Sequence, residues 1–274
     1  MIIDRQSEAD YNAMEGARST ILSLIDRKTL AHAKAAIDGA IVSESAALSF
    51  GQAAHDAILR PQEFIKKWGV FPEDYNGVTK EGKEKKKALQ ASYGDSLLKH
   101  GDALALRALQ SSLEAHPTIK QLLNGITKTE LSLQWDEQGI VCKARIDAVT
   151  TIKGQTLLLD LKTSRSAAQS DFERSCISYG YLIQSAHYIA GARACGLITN
   201  ENSNFLHVVV EKEAPFLSAV YCLDDASLEV GEKRRQLALR KYAAALSTGI
   251  WPGYSEQIET IACPHWYFEQ QDFE

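Results

Sequence analysis

Residues 130 to 163 constrain the fold more than any other part of the chain. They hold three apolar runs with strand-like patterning. "ELSLQW" (130 to 135) alternates with period two, "IVCKARIDAVT" (140 to 150) follows, and "QTLLLDLKT" (155 to 163) is apolar on both faces at its centre. The separators "DEQG" (136 to 139) and "KG" (153 to 154) are turn chemistry, so the three runs predict an antiparallel meander. The third strand, apolar on both sides, belongs inside its sheet. Yet Asp147 ends one run, and Asp160 and Lys162 sit within another. A buried strand tolerates such charges only when they are paired, hydrated or bound to a cation.

Helical patterns surround this meander. Spacing of apolar residues predicts helices over 19 to 37, 47 to 60, about 81 to 94, and 101 to 125, the last stopped by Gly125. "EFIKKWGVFPEDYNG" reads as a loop, punctuated by Gly and Pro. After the meander come a long helix from about Asp171 to Arg193, strands near 205 to 212 and 218 to 223, and a helix from about Asp225 to Leu246. The tail, with Trp251, Pro252, Trp266 and Tyr267, lacks periodicity but is aromatic enough to dock. The expected fold class is α/β in the mixed, α+β sense, one sheet flanked by helices. A single domain over 1–274 is expected: a mainly helical part, 1–125, a sheet-and-helix core, 126–250, and a tail, 251–274.

Several classes are excluded or disfavoured. No run of 18 apolar residues suggests a membrane span. The N-terminus lacks the pattern of a secretory signal, which points to the cytoplasm. Five cysteines, at 142, 176, 195, 222 and 263, are odd in number and too scattered for a metal knuckle, so they read as buried reduced thiols. A formal net charge of -5 argues against a general nucleic-acid coat but not against a local grip on phosphate. "KEGKEKKK", 80 to 87, puts five lysines in eight positions, either a solvated face or a phosphate-contacting segment.

Asp160 and Lys162 are two apart on a strand and share a face. Asp147, on the preceding strand, is expected beside Asp160. Two carboxylates this close repel unless a proton or cation lies between them. Oxygen donors with room for water suit Mg²⁺ or Mn²⁺, and an adjacent lysine could act on a polarised water or a phosphate. The plainer alternative is an Asp160–Lys162 ion pair with Asp147 capping a turn. His55 stands on a predicted helix one turn after Gly51, which permits close approach. Tyr181, Gln184 and Tyr188 line one face of a helix, and the glutamine amide there asks for a polar partner.

Taken in order, His55 in "GQAAHDAILRPQEF", Asp147 in "ARIDAV", "DLKT" at 160 to 163 and "YGYLIQSAHYI" at 179 to 189 resemble the RecB-like branch of the PD-(D/E)xK nucleases. They are most similar to the exonuclease VIII (RecE-type) enzymes of phages and prophages. The resemblance covers roughly residues 47 to 192 and implies a restriction-endonuclease-like core with a central mixed sheet. It implies His55, Asp147 and Asp160 as ligands of Mg²⁺, for which Mn²⁺ can substitute, with Lys162 as the catalytic lysine. Gln184 and Tyr188 would form the supporting helix motif, with Tyr181 beside them. Thr163 would bind phosphate or fix the strand, and Glu130 would be a supporting acid or occasional ligand. Some relatives hold an iron–sulfur cluster through a cysteine upstream of the histidine. This chain has no cysteine before residue 142, so no such cluster is expected.

By the same resemblance, the expected activity is Mg²⁺-dependent 5′-to-3′ hydrolysis of one strand of linear duplex DNA, leaving 3′ overhangs for recombination by annealing. The expected partners are double-stranded DNA ends and a RecT-like annealing protein. The expected assembly is a ring, trimeric or tetrameric, in the cytoplasm of a bacterium or an infected host. Arg60, Lys66, Lys67, Lys80, Lys83, Lys85, Lys86 and Lys87 are candidate contacts to the DNA backbone, and Trp68 either a wedge or a packing residue. Alternatives are an endonuclease on the same core and a non-catalytic module that binds DNA ends or protein.

Overall fold

A computed structural model describes residues 1–4, 6–40, 46–199 and 205–265. The chain opens with β1 (Ile2–Ile3) and the helices α1 (Glu8–Ala13), α2 (Ser19–Arg27), α3 (Leu30–Ile37), α4 (Ala46–Leu59) and α5 (Pro61–Lys67). Then follow β2 (Gly69–Val70), α6 (Lys80–Tyr93), β3 (Leu97–Leu98), α7 (His100–Ala115) and α8 (Pro117–Asn124). The predicted meander is β4 (Ile126–Glu137), β5 (Ile140–Ile152) and β6 (Gln155–Ser164). It is followed by α9 (Gln169–Tyr179), α10 (Tyr181–Ala194), β7 (Phe205–Glu211), β8 (Ser218–Tyr221) and α11 (Asp225–Thr248).

The main sheet has the order β1-β4-β5-β6-β7-β8. Both meander turns are two-residue loops, closing on Glu137↔Ile140 and Ile152↔Gln155. Their central residues have positive φ throughout: Gln138 (56°) with Gly139 (81°), and Lys153 (51°) with Gly154 (79°). That is the tight turn whose twist matches paired antiparallel strands. β6 pairs antiparallel with β5 and parallel with β7, the α9–α10 pair forming the crossover. The sheet is therefore mixed and flanked by helices, with β6 in its interior, as the sequence predicts.

One core joins α2, α10 and α11 to the sheet through Leu22, Leu133, Ile146, Leu158, Ile183 and Phe205. A second core on the other side uses Leu109, Leu113, Ile119, Leu159, Leu161 and Val210. Burying these aliphatic side chains contributes about 1.5–3 kcal/mol each before chain entropy is set against it. Trp251 packs edge-on to Tyr242, and the Ala31 N–H donates to the Pro252 carbonyl, so the start of the tail docks. Trp266 and Tyr267 lie outside the described residues.

Some expected elements are corrected. The helix expected over 19 to 37 breaks at Lys28 and restarts where the Thr29 hydroxyl caps the His32 N–H. The helix expected over 101 to 125 breaks at His116, because the residue before Pro117 is driven to extended geometry. The helix expected over 171 to 193 is two helices joined at Gly180, whose φ of 76° is a left-handed stop. Within the expected loop, α5 forms with Pro61 at its start. Cys222 and Cys263 are exposed, not buried, and all five thiols are free. No helix among the described residues is long and apolar enough to cross a membrane.

Candidate active site

The site grows from an interruption in the β5–β6 ladder. The last registered pair is Ala148↔Leu159. Two positions on, Leu161 also turns its amide groups toward β5, where side chains meet them. The Asp147 Oδ2 accepts the Leu161 N–H at 2.9 Å, and the His55 Nε2–H donates to the Leu161 carbonyl at 2.7 Å. One backbone unit thus gathers a carboxylate from β5 and an imidazole from α4. A Cβ added at Gly51 would meet only the Thr163 hydroxyl, at an ordinary 3.4 Å, so the approach of α4 to β6 does not depend on glycine there.

That bond fixes the imidazole tautomer. With its Nε2 proton on Leu161, a neutral His55 turns the bare Nδ1 toward Asp147 Oδ2, 3.5 Å away. A protonated His55 instead donates Nδ1–H across that gap and makes the pair ionic. Burial pushes the Asp147 carboxyl up to about 6, with further upward pressure from Asp160 and Glu130 and opposition from His55 and Lys162. Asp147 keeps 16% side-chain exposure and His55 27%, so both open onto solvent.

Asp160 has the opposite fate. It is 1% exposed, and both oxygens are engaged. Lys162 Nζ lies 3.0 Å from Oδ1 and 2.8 Å from Oδ2. The Gln184 amide donates to Oδ1 at 3.0 Å, and His207 Nδ1 meets Oδ2 at 3.1 Å. Burial would raise this carboxyl, but Lys162 and His207 outweigh it and hold the group well below the usual carboxylate range. Lys162 is likewise raised: burial works against its charge, but Asp160 and Asp147 outweigh burial. Its Nζ also sits 4.6 Å over the Tyr181 ring, a cation–π contact.

The glutamine that asked for a polar partner therefore finds Asp160. Tyr188 stands behind the site: its ring packs edge-on to Phe205, and its hydroxyl reaches Gln184. Sequence reasoning missed His207 and Ser185. His207 is fully buried, sits opposite Asp160 in the β6–β7 register, and has its Nε2 3.1 Å from the Ser185 hydroxyl. A histidine inside the apolar run "FLHVVV" was the available signal, but its partner lies across a helical crossover.

A cavity of about 390 Å³ opens in front of His55, Asp147 and Lys162. It holds acids and bases in near balance, and most cations there are already occupied. Arg60 and Lys67 pair with the buried Asp56, Lys67 at 2.9 Å. Arg145 Nε is 2.6 Å from Glu130, though not aligned for a hydrogen bond, and Arg60 is 3.8 Å from the same carboxylate. Glu130 has a φ of 50°, an unusual left-handed strand residue next to the site. Of the expected DNA contacts, Arg60 and Lys67 line this cavity. Lys66 pairs with Glu63 on the surface. Lys80, Lys83, Lys85, Lys86 and Lys87 are exposed on α6, outside the cavity lining. Trp68 is 6% exposed and donates its indole N–H to Asp56 at 2.8 Å, so it is a packing residue and not a wedge.

Among the described residues, no three His, Cys, Asp or Glu side chains already enclose a metal. The open donors nonetheless suit a hard divalent cation. Nδ1 of His55 and the Asp147 carboxylate face one another across 3.5 Å and both open onto the cavity. Asp160 and Glu130 are adjacent, but each would have to loosen an existing partner to join. A cation centred on His55 and Asp147, with Lys162 beside it, is an arrangement that can bind and polarise a phosphate.

Comparison with known proteins adds the family. Residues 19–264 match the model of a PDDEXK-like domain of unknown function (DUF3799). The crystal structure of a "Putative exonuclease" from Eubacterium rectale superimposes with a TM-score of 0.62 at 12% identity. The alignment covers 98% of this chain and 99% of that one, and it speaks to the fold alone. A second solved structure, SSO0001, covers 76% of this chain and 84% of its own at 18% identity. Its TM-score of 0.26 is too low to bear on the argument. No curated protein matches.

Proposed function

The chain belongs to this PDDEXK-like family, and we propose that it is a divalent-metal-dependent DNA exonuclease. The observation that carries the reading is the convergence on Leu161. His55 and Asp147 are tied to one backbone unit and open onto the cavity where Lys162 ends. The exonuclease description of the Eubacterium rectale structure is consistent with it.

A hard cation bound there would polarise the scissile phosphate and the attacking water. His55 and Asp147 would hold it, joined by Asp160 if Lys162 turns outward. Lys162 is held as an ammonium by Asp160, which suits it to neutralise charge building on the phosphate rather than to take a proton from water. Gln184 and His207 orient Asp160, and Asp160 in turn positions Lys162. Arg145 and Arg60 restrain Glu130 at the cavity wall.

The resemblance further proposes Mg²⁺, 5′-to-3′ polarity on linear duplex, a trimeric or tetrameric ring, and delivery of the 3′ strand to a RecT-like protein. The test is digestion of linear duplex labelled separately at each 5′ and 3′ end, beside a covalently closed circle, with Mg²⁺ or with chelator. The reading expects Mg²⁺-dependent release starting from the 5′ label, an intact circle, and no release by Lys162→Ala. Cutting of the circle would make the protein an endonuclease. Inertness of the wild type in every arm would refute catalysis.

A further inference from the structure

A second cleft, of about 690 Å³, meets the first at Lys162 and Thr163 and runs from the end of β6 along α9. Its charge is different in kind. Besides Lys162, its walls carry Arg165, exposed, and Lys212, half-buried. Neither has a carboxylate at ion-pair distance among the described residues. The cleft's one acid, Asp171, is held by Arg174 at 2.6 Å. The first cavity has its cations largely paired, so the uncommitted positive charge beside the site lies here.

The cleft also carries an exposed aromatic. Tyr179, at the end of α9, is 63% exposed, and its ring centroid lies 5.8 Å from that of Tyr181. The wall that holds Arg165 is fixed in place. The Ala167 N–H donates to Glu211 at 3.0 Å, the Ala167 carbonyl accepts from the Tyr221 hydroxyl at 2.6 Å, and the Lys212 N–H donates to the Ser164 carbonyl at 2.9 Å. Unpaired cations on a rigid wall, with an open aromatic face beside them, are the combination that grips an unpaired strand: phosphates on the cations, a base on the ring. A duplex keeps its bases stacked on one another and offers nothing to that ring.

We propose that this cleft is a single-strand subsite, in which Arg165 and Lys212 each hold a phosphate and Tyr179 stacks a base of the strand next to the reacting phosphate. The proposal rests on the nuclease reading for what happens at Lys162, but not for binding itself. It makes the substrate locally unpaired on the α9 side of the site.

The test is fluorescence anisotropy of a labelled twelve-residue oligothymidylate and of its duplex with oligoadenylate, in chelator, across a salt series. The proteins are the wild type, Arg165→Ala/Lys212→Ala, Tyr179→Ala and, as a surface control on α11, Lys233→Ala/Lys241→Ala. Thermal melts confirm that each is folded. The single strand is expected to bind the wild type more tightly than the duplex. The double variant should weaken it about tenfold or more and flatten the log K against log salt slope by about 1.4, two phosphates at ~0.7 each. Tyr179→Ala should weaken single-strand binding about fivefold or more and leave the salt slope unchanged. The control should match the wild type. Equal affinities of the wild type and both cleft variants, or preference for duplex, would overturn the proposal. Mg²⁺-dependent cleavage is read separately. Binding as expected without cleavage sinks the nuclease reading and keeps the subsite, whereas cleavage with unaltered binding in the variants does the reverse.

Discussion

Lys162→Met is the perturbation that best tests how β6 tolerates its charges. Asp160 is 1% exposed and Lys162 19%, with Nζ within 3.0 Å of both carboxylate oxygens. Removing one partner of a buried pair costs about 3–5 kcal/mol, because the remaining charge is stranded. Lys162 is partly solvated and His207 and Gln184 stay in place, so we expect the lower end, about 3 kcal/mol at pH 8. The pH dependence fixes the mechanism. In the wild type the Asp160 carboxyl is depressed on folding, so its contribution is full above the ordinary carboxylate value and is lost only as pH falls below it. Without Lys162 the largest lowering influence is lost, so the folded carboxyl moves upward, with His207 still opposing burial. The variant then gains stability relative to the wild type as pH falls. Asp147, already pushed up to about 6 by burial, with Asp160 and Glu130 adding to it, moves in the same direction when Lys162 is lost. Urea unfolding followed by tryptophan fluorescence at pH 8 and pH 5 should therefore show the deficit, about 3 kcal/mol at pH 8, shrinking at pH 5. Lys162→Met combined with Asp160→Asn should recover most of the deficit at pH 8. A deficit under about 1 kcal/mol that does not vary with pH would mean a solvated pair of no consequence, and the reasoning would fail.

Other predictions concern the frame of the site. His187 is fully buried against Trp135, and burial, aided by the Arg235 charge, pulls it down to about 4. Its folded value lies below its unfolded one, so the unfolded chain binds the extra proton. Stability is full above about 6.5 and falls by roughly 3 kcal/mol as pH drops to about 4. His187→Gln should flatten that part of the pH–stability profile, and an unchanged slope would refute the assignment. Gly191→Ala would bring a Cβ to 2.5 Å from the Trp135 ring, between α10 and β4. Overpacking of about 1–3 kcal/mol should exceed the ~1 kcal/mol gained in helix propensity, lowering Tm; a rise in Tm would contradict it. Arg235, 1% exposed, is bonded to Glu137 at 2.6 and 2.8 Å and to Glu232 at 2.6 and 2.7 Å. Arg235→Met should cost about 3 kcal/mol in urea titrations, with partial recovery on adding Glu137→Gln, whereas additive losses would break the argument.

The meander was legible because its information is local. Gln138–Gly139 and Lys153–Gly154 specify their turns within two residues, and the strands beside them follow from alternation. The helix breaks were missed for a related reason. Apolar spacing continues through Lys28, His116 and Gly180, and only backbone chemistry at those positions stops the helix. Pro117 and Gly180 carried that signal, while Lys28 did not. At the site, residues that announce themselves as misplaced charge, Asp147, Asp160 and Lys162, were readable. Those whose meaning depends on a distant partner were not. His207 acquires its role only when β7 pairs beside β6, and Arg145 only beside Glu130.

The charges along β5 and β6 are settled in two different ways. Asp160 is engaged: lysine, histidine and amide bind its oxygens, and it would face a cation only if Lys162 turned away. Asp147 is incomplete. Its one assigned hydrogen bond comes from the Leu161 N–H, and across the gap stands an imidazole whose proton is spent on the Leu161 carbonyl. In the neutral tautomer the facing nitrogen is bare, and in the imidazolium it donates to Asp147. The 3.5 Å gap between Nδ1 and Oδ2 is closed either by a proton, as an imidazolium–carboxylate pair, or by a cation from the cavity. The closed pair at Asp160 positions Lys162, whereas the pair at Asp147 is the one that stays open to the cavity, which is where the proposed cation would have to bind.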